Sequence, residues 1–186
     1  MRNIFIIVTL IAWGLLCCAC DRNNEQKNRL AKELRIFKEQ EIVLPDNLLA
    51  KHFNEQEPDT TLLNRPLKMV VYLNQNGCES CKLNALLPVY LFILENKPFT
   101  KFGTVIILHP THTESTDHLL KEMHFRHTVF YDTDGSFERL NPFLPKNERF
   151  HTFLLDEDNK VVLIGNPARN TKLKDLYITE LKKRHP

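Results

Sequence analysis

Apolar positions along the chain occur first as one unbroken run, then at helical spacing, then in short strand-like blocks. Residues 4–16, IFIIVTLIAWGLL, form the unbroken run. Between 21 and 41 the chain is densely charged, and Leu30, Leu34 and Phe37 recur at i, i+4 and i+7. That spacing predicts an amphipathic helix started by Asn23 or Asn24 and helped by Glu25 in its first turn. IVLP at 42–45 predicts a short strand stopped by Pro45, and the polar stretch from there to Pro66 reads mostly as loop. From Leu67 the pattern becomes regular. LKMVVYL (67–73) predicts a strand, and CESC (78–81) opens a helix continuing through KLNALLPVYLFILEN (82–96). Strands follow at TVIIL (104–108) and TVFYD (128–132), with a helix at TDHLLKEM (116–123) between them. GSFERLN (135–141) predicts a short helix, HTFLLD (151–156) and KVVLIG (160–165) a hairpin, and TKLKDLYITELKKR (171–184) a closing helix. Near-continuous apolar strands alternating with helices predict an α/β domain whose central mixed sheet is flanked by helices on both faces.

Composition narrows what such a domain can do. The 186 residues suit one domain with an appendage. The 25 basic and 23 acidic residues are interspersed, and the net charge of +2 offers no basic patch for nucleic acid. The five glycines, at 14, 77, 103, 135 and 165, leave no place for a phosphate-binding loop. Arg2, the apolar run and the small or soft residues ending at Cys20 read as a secretory signal. The run is shorter than the roughly 20 residues of a membrane-spanning helix, although an uncleaved signal anchor is the alternative. Cys17-Cys18-Ala19-Cys20 resembles the lipobox of bacterial lipoproteins. The resemblance implies cleavage after residue 19 and lipidation of Cys20, which follows a small residue; Cys18 is the poorer acceptor. The expected organisation is therefore a signal peptide (1–19), a lipid-anchored helix and linker (20–66) and a globular domain (67–186).

Removing Cys17 and Cys18 with the leader and Cys20 to the lipid leaves Cys78 and Cys81 as the thiols of the mature domain. A bridge between residues three apart closes too small a loop to stabilise a fold much. Redox chemistry is the leading reading, with metal binding and incidental placement as alternatives. At the helix N-terminus Cys78 is favoured as the thiolate nucleophile, and Cys81, one turn inside, can resolve a mixed disulfide. Glu79 opposes ionisation of Cys78, unless Lys82 or Arg149 points there to offset it. This balance predicts a thiol pKa nearer about 7 than about 3.5, and a potential nearer about −270 mV than about −120 mV.

A C-x-x-C placed directly after a strand and opening a helix resembles the thioredoxin fold. VFYDTDGSFERLN followed by FHTFLLDEDNKVVLIGNP is further similar to the TlpA-like thiol-disulfide oxidoreductases, membrane-tethered members of that superfamily. The likeness spans about Leu67 to Leu181. It implies a dithiol acting without a cofactor on thiol- or disulfide-containing exported proteins, supplied by an upstream membrane electron donor, outside the cytoplasm in a bacterial envelope. Gly77, Glu79, Ser80, Arg149, Phe150 and His151 are its candidate active-site neighbours. Several positions depart from the family. Phe150 stands where relatives have a cis-proline, so the Arg149–Phe150 bond is expected to be trans. Gly77 replaces the Trp or Pro before the first cysteine, Tyr72 occupies the position of an acidic residue, and Pro88 lies seven rather than five residues beyond Cys81. Gln75 replaces the threonine of peroxide-reducing relatives. His151, expected as a half-exposed strand-end residue, raises a second reading as a Sco-like copper protein, although both cysteine and histidine spacings differ. A third is a binding module on the same fold without turnover. His109, His112, His118, His124 and His127 match no standard ligand spacing and are expected in solvent.

Overall fold

The computed structural model describes residues 24–54 and 56–184. The expected leader and Cys20 lie outside the described residues. The chain divides into two compact units between Ile36 and Phe37. A helix, α1, occupies residues 24–38, in agreement with the periodicity, and carries an i,i+4 pair between Glu25 and Arg29. Among the described residues no helix is long and apolar enough to cross a membrane.

In the second unit β1 (Leu49–Lys51), β2 (Leu67–Leu73), β3 (Phe102–Leu108), β4 (Val129–Tyr131), β5 (Thr152–Leu155) and β6 (Val161–Ile164) form one mixed sheet. The order is β1-β4-β3-β2-β5-β6. β2, β3 and β4 run parallel; β1 is antiparallel to β4, β5 to β2, and β6 to β5. The helices are α2 (Glu79–Asn84), α3 (Leu86–Glu95), α4 (Thr113–Glu122), α5 (Ser136–Leu140) and α6 (Thr171–Lys183). Strand alternation sends Met69, Val71, Ile106 and Leu108 to one face, where Leu83, Leu86, Val89, Phe92, Leu120, Tyr177 and Leu181 of α2, α3, α4 and α6 cover them. Val70, Tyr72, Val105 and Ile107 point to the other face, beneath Phe37, Ile42, Leu62 and Phe137. Both faces are thus buried, which is why β2 and β3 read as continuous apolar runs.

Four sequence expectations change. IVLP is not a strand: both backbone groups of Val43 bond to the side-chain amide of the buried Asn141, at 2.9 and 2.8 Å, rather than to a ladder. The stretch read as loop contains β1 and a 3₁₀ turn, Thr60–Asn64, capped by Asp59. The linker region therefore supplies sheet and core from Phe37 onward. The chain between α1 and β1 reaches the start of β6, where Ile42 N–H donates to the Asn159 carbonyl at 2.9 Å and Val161 N–H to that of Gln40 at 3.4 Å. Finally, the helix expected over 78–96 breaks at Ala85 into α2 and α3. Pro88 has no N–H and its ring conflicts with the carbonyl four residues earlier, so it is accommodated in the first turn of a new helix.

Candidate active site

β2 delivers the chain to a turn at Asn74–Gly77, whose last residue takes φ +81°, and α2 starts immediately afterwards. The space around Gly77 is open, so its backbone conformation rather than crowding favours glycine there. Cys78 is the N-cap of α2: its sulfur accepts the Cys81 N–H at 3.3 Å and lies 3.4 Å from the Ser80 hydroxyl. This is where unpaired N–H groups stabilise a thiolate. Cys78 and Cys81 are joined as a disulfide with Cα atoms 5.3 Å apart, and both residues are exposed.

The turn after β2, α2 and the turn before β5 meet at one ammonium beside this pair. Lys82, next to Cys81, donates to the backbone carbonyl of Asn74 at 3.1 Å and also to its side-chain oxygen, and lies 3.0 Å from the Glu148 carboxylate. Burial pushes the Glu148 carboxyl up, but hydrogen bonds from Lys82 and Asn74 and the Lys82 charge outweigh it and hold the group below its ordinary value. One turn earlier on α2, the Thr116 hydroxyl of α4 donates to the Glu79 carboxylate. Neither Asn74, Thr116 nor Glu148 was singled out by sequence reasoning. Their roles depend on contacts across 8, 37 and 66 positions, and no local motif marks them.

The remaining expected neighbours are placed in different ways. Glu148–Phe150 form a short 3₁₀ turn before β5, and the Arg149–Phe150 bond is trans. Arg149 and Phe150 line a cleft of about 580 Å³ with Cys81, Lys82, Leu86, Thr152, Ile164 and Arg169. His151 is not half-exposed: it is 4% exposed, its Nε2–H donates to the Pro145 carbonyl at 2.7 Å, and its ring stacks on Tyr72 with centroids 5.6 Å apart. The strand after the turn pulls it inward, because the His151 carbonyl already accepts the Tyr72 N–H of β2. Tyr72 is pushed above its ordinary range first by burial and then by the Glu138, Asp132 and Glu148 carboxylates, so it does not replace the missing acid.

The other histidines do not gather. His112 stands at the N-cap position of α4 without a side-chain capping bond, His118 lies 3.6 Å from Glu122, and His124 is exposed with φ +50°. Two are less solvated than expected: His109 packs where a side chain on Gly135 would stand, and His127 Nε2 bonds to the Thr104 carbonyl at 2.8 Å. Among the described residues no three His, Cys, Asp or Glu side chains converge as a metal site.

A mixed sheet flanked by helices, with the C-x-x-C at the end of the central β2 and the start of α2, is a thioredoxin-like fold. Solved structures place this chain among known shapes. A Chlorobium tepidum protein assigned as thiol:disulfide interchange protein DsbE is 16% identical, with TM-score 0.54 over 76% of this chain and 98% of that one. The C-terminal domain of a Bacteroides thetaiotaomicron protein assigned as a thiol-disulfide oxidoreductase is 11% identical, with TM-score 0.55 over 78% and 99%. A Neisseria meningitidis protein assigned as a thioredoxin is 15% identical, with TM-score 0.51 over 75% and 90%. No protein-family model matches the chain, and no curated protein matches it.

Proposed function

We propose that this chain is a thiol-disulfide oxidoreductase of the TlpA-like type, anchored through Cys20 in a bacterial cell envelope and reducing or isomerising disulfides of exported proteins. The observation that carries the reading is the exposed Cys78 sulfur at the N-cap of α2, bonded to Cys81 and accepting its N–H. The names of the structural neighbours support it through the shared fold.

In the reduced form the Cys78 thiolate attacks one sulfur of a partner disulfide. The partner S–S bond breaks, a Cys78–partner bond forms, and the other partner sulfur leaves as thiolate and takes a proton. Cys81 then loses its proton and attacks the Cys78 sulfur, releasing the second partner thiolate. The partner gains two electrons and two protons, and the Cys78–Cys81 disulfide remains. A membrane dithiol donor returns the same two electrons and two protons. Isomerisation omits the net transfer: a partner thiolate resolves the mixed disulfide instead.

Cys81→Ser is expected to accumulate mixed disulfides with envelope proteins, whereas Cys78→Ser accumulates none. Equilibration with a glutathione or dithiothreitol buffer is expected to give a potential nearer about −270 mV than about −120 mV. Trapping by the Cys78 variant would overturn the assignment of the nucleophile, and a value at the oxidising end the direction. The anchor has its own test: palmitate labelling is expected in the full chain and absent from Cys20→Ala, and retained labelling would reject Cys20 as the acceptor.

A further inference from the structure

The cleft that opens beside Cys81 is electrically lopsided. Its charged lining residues are Lys82, Glu148, Arg149 and Arg169. Lys82 and Glu148 neutralise one another at 3.0 Å. Arg149 and Arg169 are exposed, and neither guanidinium has an ion pair or side-chain hydrogen bond among the described residues. Two unbalanced positive charges thus border a trough whose lining also includes the apolar side chains of Val71, Leu86, Phe150, Ile164 and Leu173. Arg149 belongs to the turn before β5 and Arg169 to the 3₁₀ turn Pro167–Arg169 before α6, so the charges come from two separate loops.

We propose that this cleft docks partner segments in which an apolar side chain near the reacting cysteine is flanked by acidic residues. The inference rests on the dithiol reading above and names the partner chemistry for that same site. The apolar side chain enters the trough against Phe150 and Ile164. The acidic groups meet Arg149 and Arg169, whose planar guanidinium groups suit carboxylates. A basic segment meets the same two charges with repulsion, so the site discriminates by sign as well as by fit.

The test uses the full chain, reduced, with three labelled peptides of equal length. Each carries one cysteine capped as a disulfide by 2-mercaptoethanol and one neighbouring apolar residue, flanked by aspartates, by lysines or by serines. Reaction rates are followed by release of the neutral cap, and binding is measured separately by fluorescence anisotropy on versions with serine in place of cysteine. At low salt the acidic peptide is expected to be favoured over the basic one about tenfold in both readouts, equivalent to about 1.4 kcal/mol. High salt should shrink that ratio, and Arg149→Ala/Arg169→Ala should bring it close to one. Equal rates and affinities in the wild type, or a ratio that survives both the salt and the double variant, would overturn the proposal. Bis(2-hydroxyethyl) disulfide, small and uncharged, separates this from failure of the parent reading. If the wild type does not react with it, the dithiol reading fails, while the anisotropy ratio still decides whether the cleft selects acidic segments.

Discussion

Lys82 ties together three parts of the candidate site, although the sequence marks it only as a possible offset to Glu79. Its ammonium joins the end of β2 through Asn74, the cysteine-bearing α2 through its own backbone, and the turn before β5 through Glu148. Its side chain is 19% exposed and that of Glu148 43%, so the pair is only partly screened by water. Lys82→Met removes the donor and leaves the Asn74 oxygens and the Glu148 carboxylate to find solvent. We expect it to cost about 1 kcal/mol, less than a buried charged hydrogen bond because the partly exposed Glu148 can rehydrate. The melting temperature should fall by a few degrees for a domain of this size. Adding Glu148→Gln should cost less than the sum of the two single changes; strict additivity in thermal unfolding would show that the two side chains do not act together. Glu79 corrects a simpler electrostatic picture. Its carboxylate is held by Thr116 on α4, so adjacency to Cys78 in sequence overstates how freely its charge faces the sulfur.

At the level of elements, what the sequence displayed depended on whether the cause was local. The C-x-x-C after an apolar strand was legible because N-capping, helix entry and the cysteine spacing all lie within one turn of chain. β2, β3, the β5–β6 hairpin and the terminal helix were legible because burial on one or both faces writes itself into apolar periodicity. IVLP misled for the opposite reason. The backbone groups of Val43 are satisfied by Asn141, 98 residues away, and the Ile42 N–H by the Asn159 carbonyl, so a β-like composition pairs without forming a strand. β1 was invisible because three residues, LAK, pair with β4 across a gap of some eighty positions and carry no alternation of their own. The cleft was half legible: the likeness of FHTFLLD to the family pattern brought Arg149 and Phe150 to the site, whereas Glu148 and Arg169 arrive only through tertiary packing. His151 shows the limit of that likeness, since the same alignment brought it to the strand end but not into the interior, where Pro145 and Tyr72 hold it.

On the scale of the whole molecule, acid should loosen the fold in two stages. His127 is held below its ordinary value of 6.5, first by desolvation, with the Thr104 carbonyl and Asp59 opposing and His52 and Lys97 assisting. The unfolded chain therefore takes up this proton at higher pH than the folded one. The stabilising contribution is complete above 6.5 and declines as pH falls below it until the lower folded value is passed. Glu148, whose folded value is also depressed, begins its loss only below its ordinary 4.5. Denaturant titrations from pH 7.5 to 5 should thus show stability falling by no more than about 1.4 kcal/mol per pH unit for the single His127 proton. His127→Gln should flatten that slope; an unchanged slope would assign the acid sensitivity elsewhere. The sheet adds a different consequence. The stretch from Gln40 to Lys51 touches the start of β6 at one margin and supplies β1 beside β4 at the other. One piece of chain thereby reaches both margins: it bridges the start of β6 and leaves an edge strand of only three residues beyond β4, which offers a foreign strand little ladder to extend. Cutting that single strap away would bare the edge of β4, and the domain's tendency to aggregate is expected to rise.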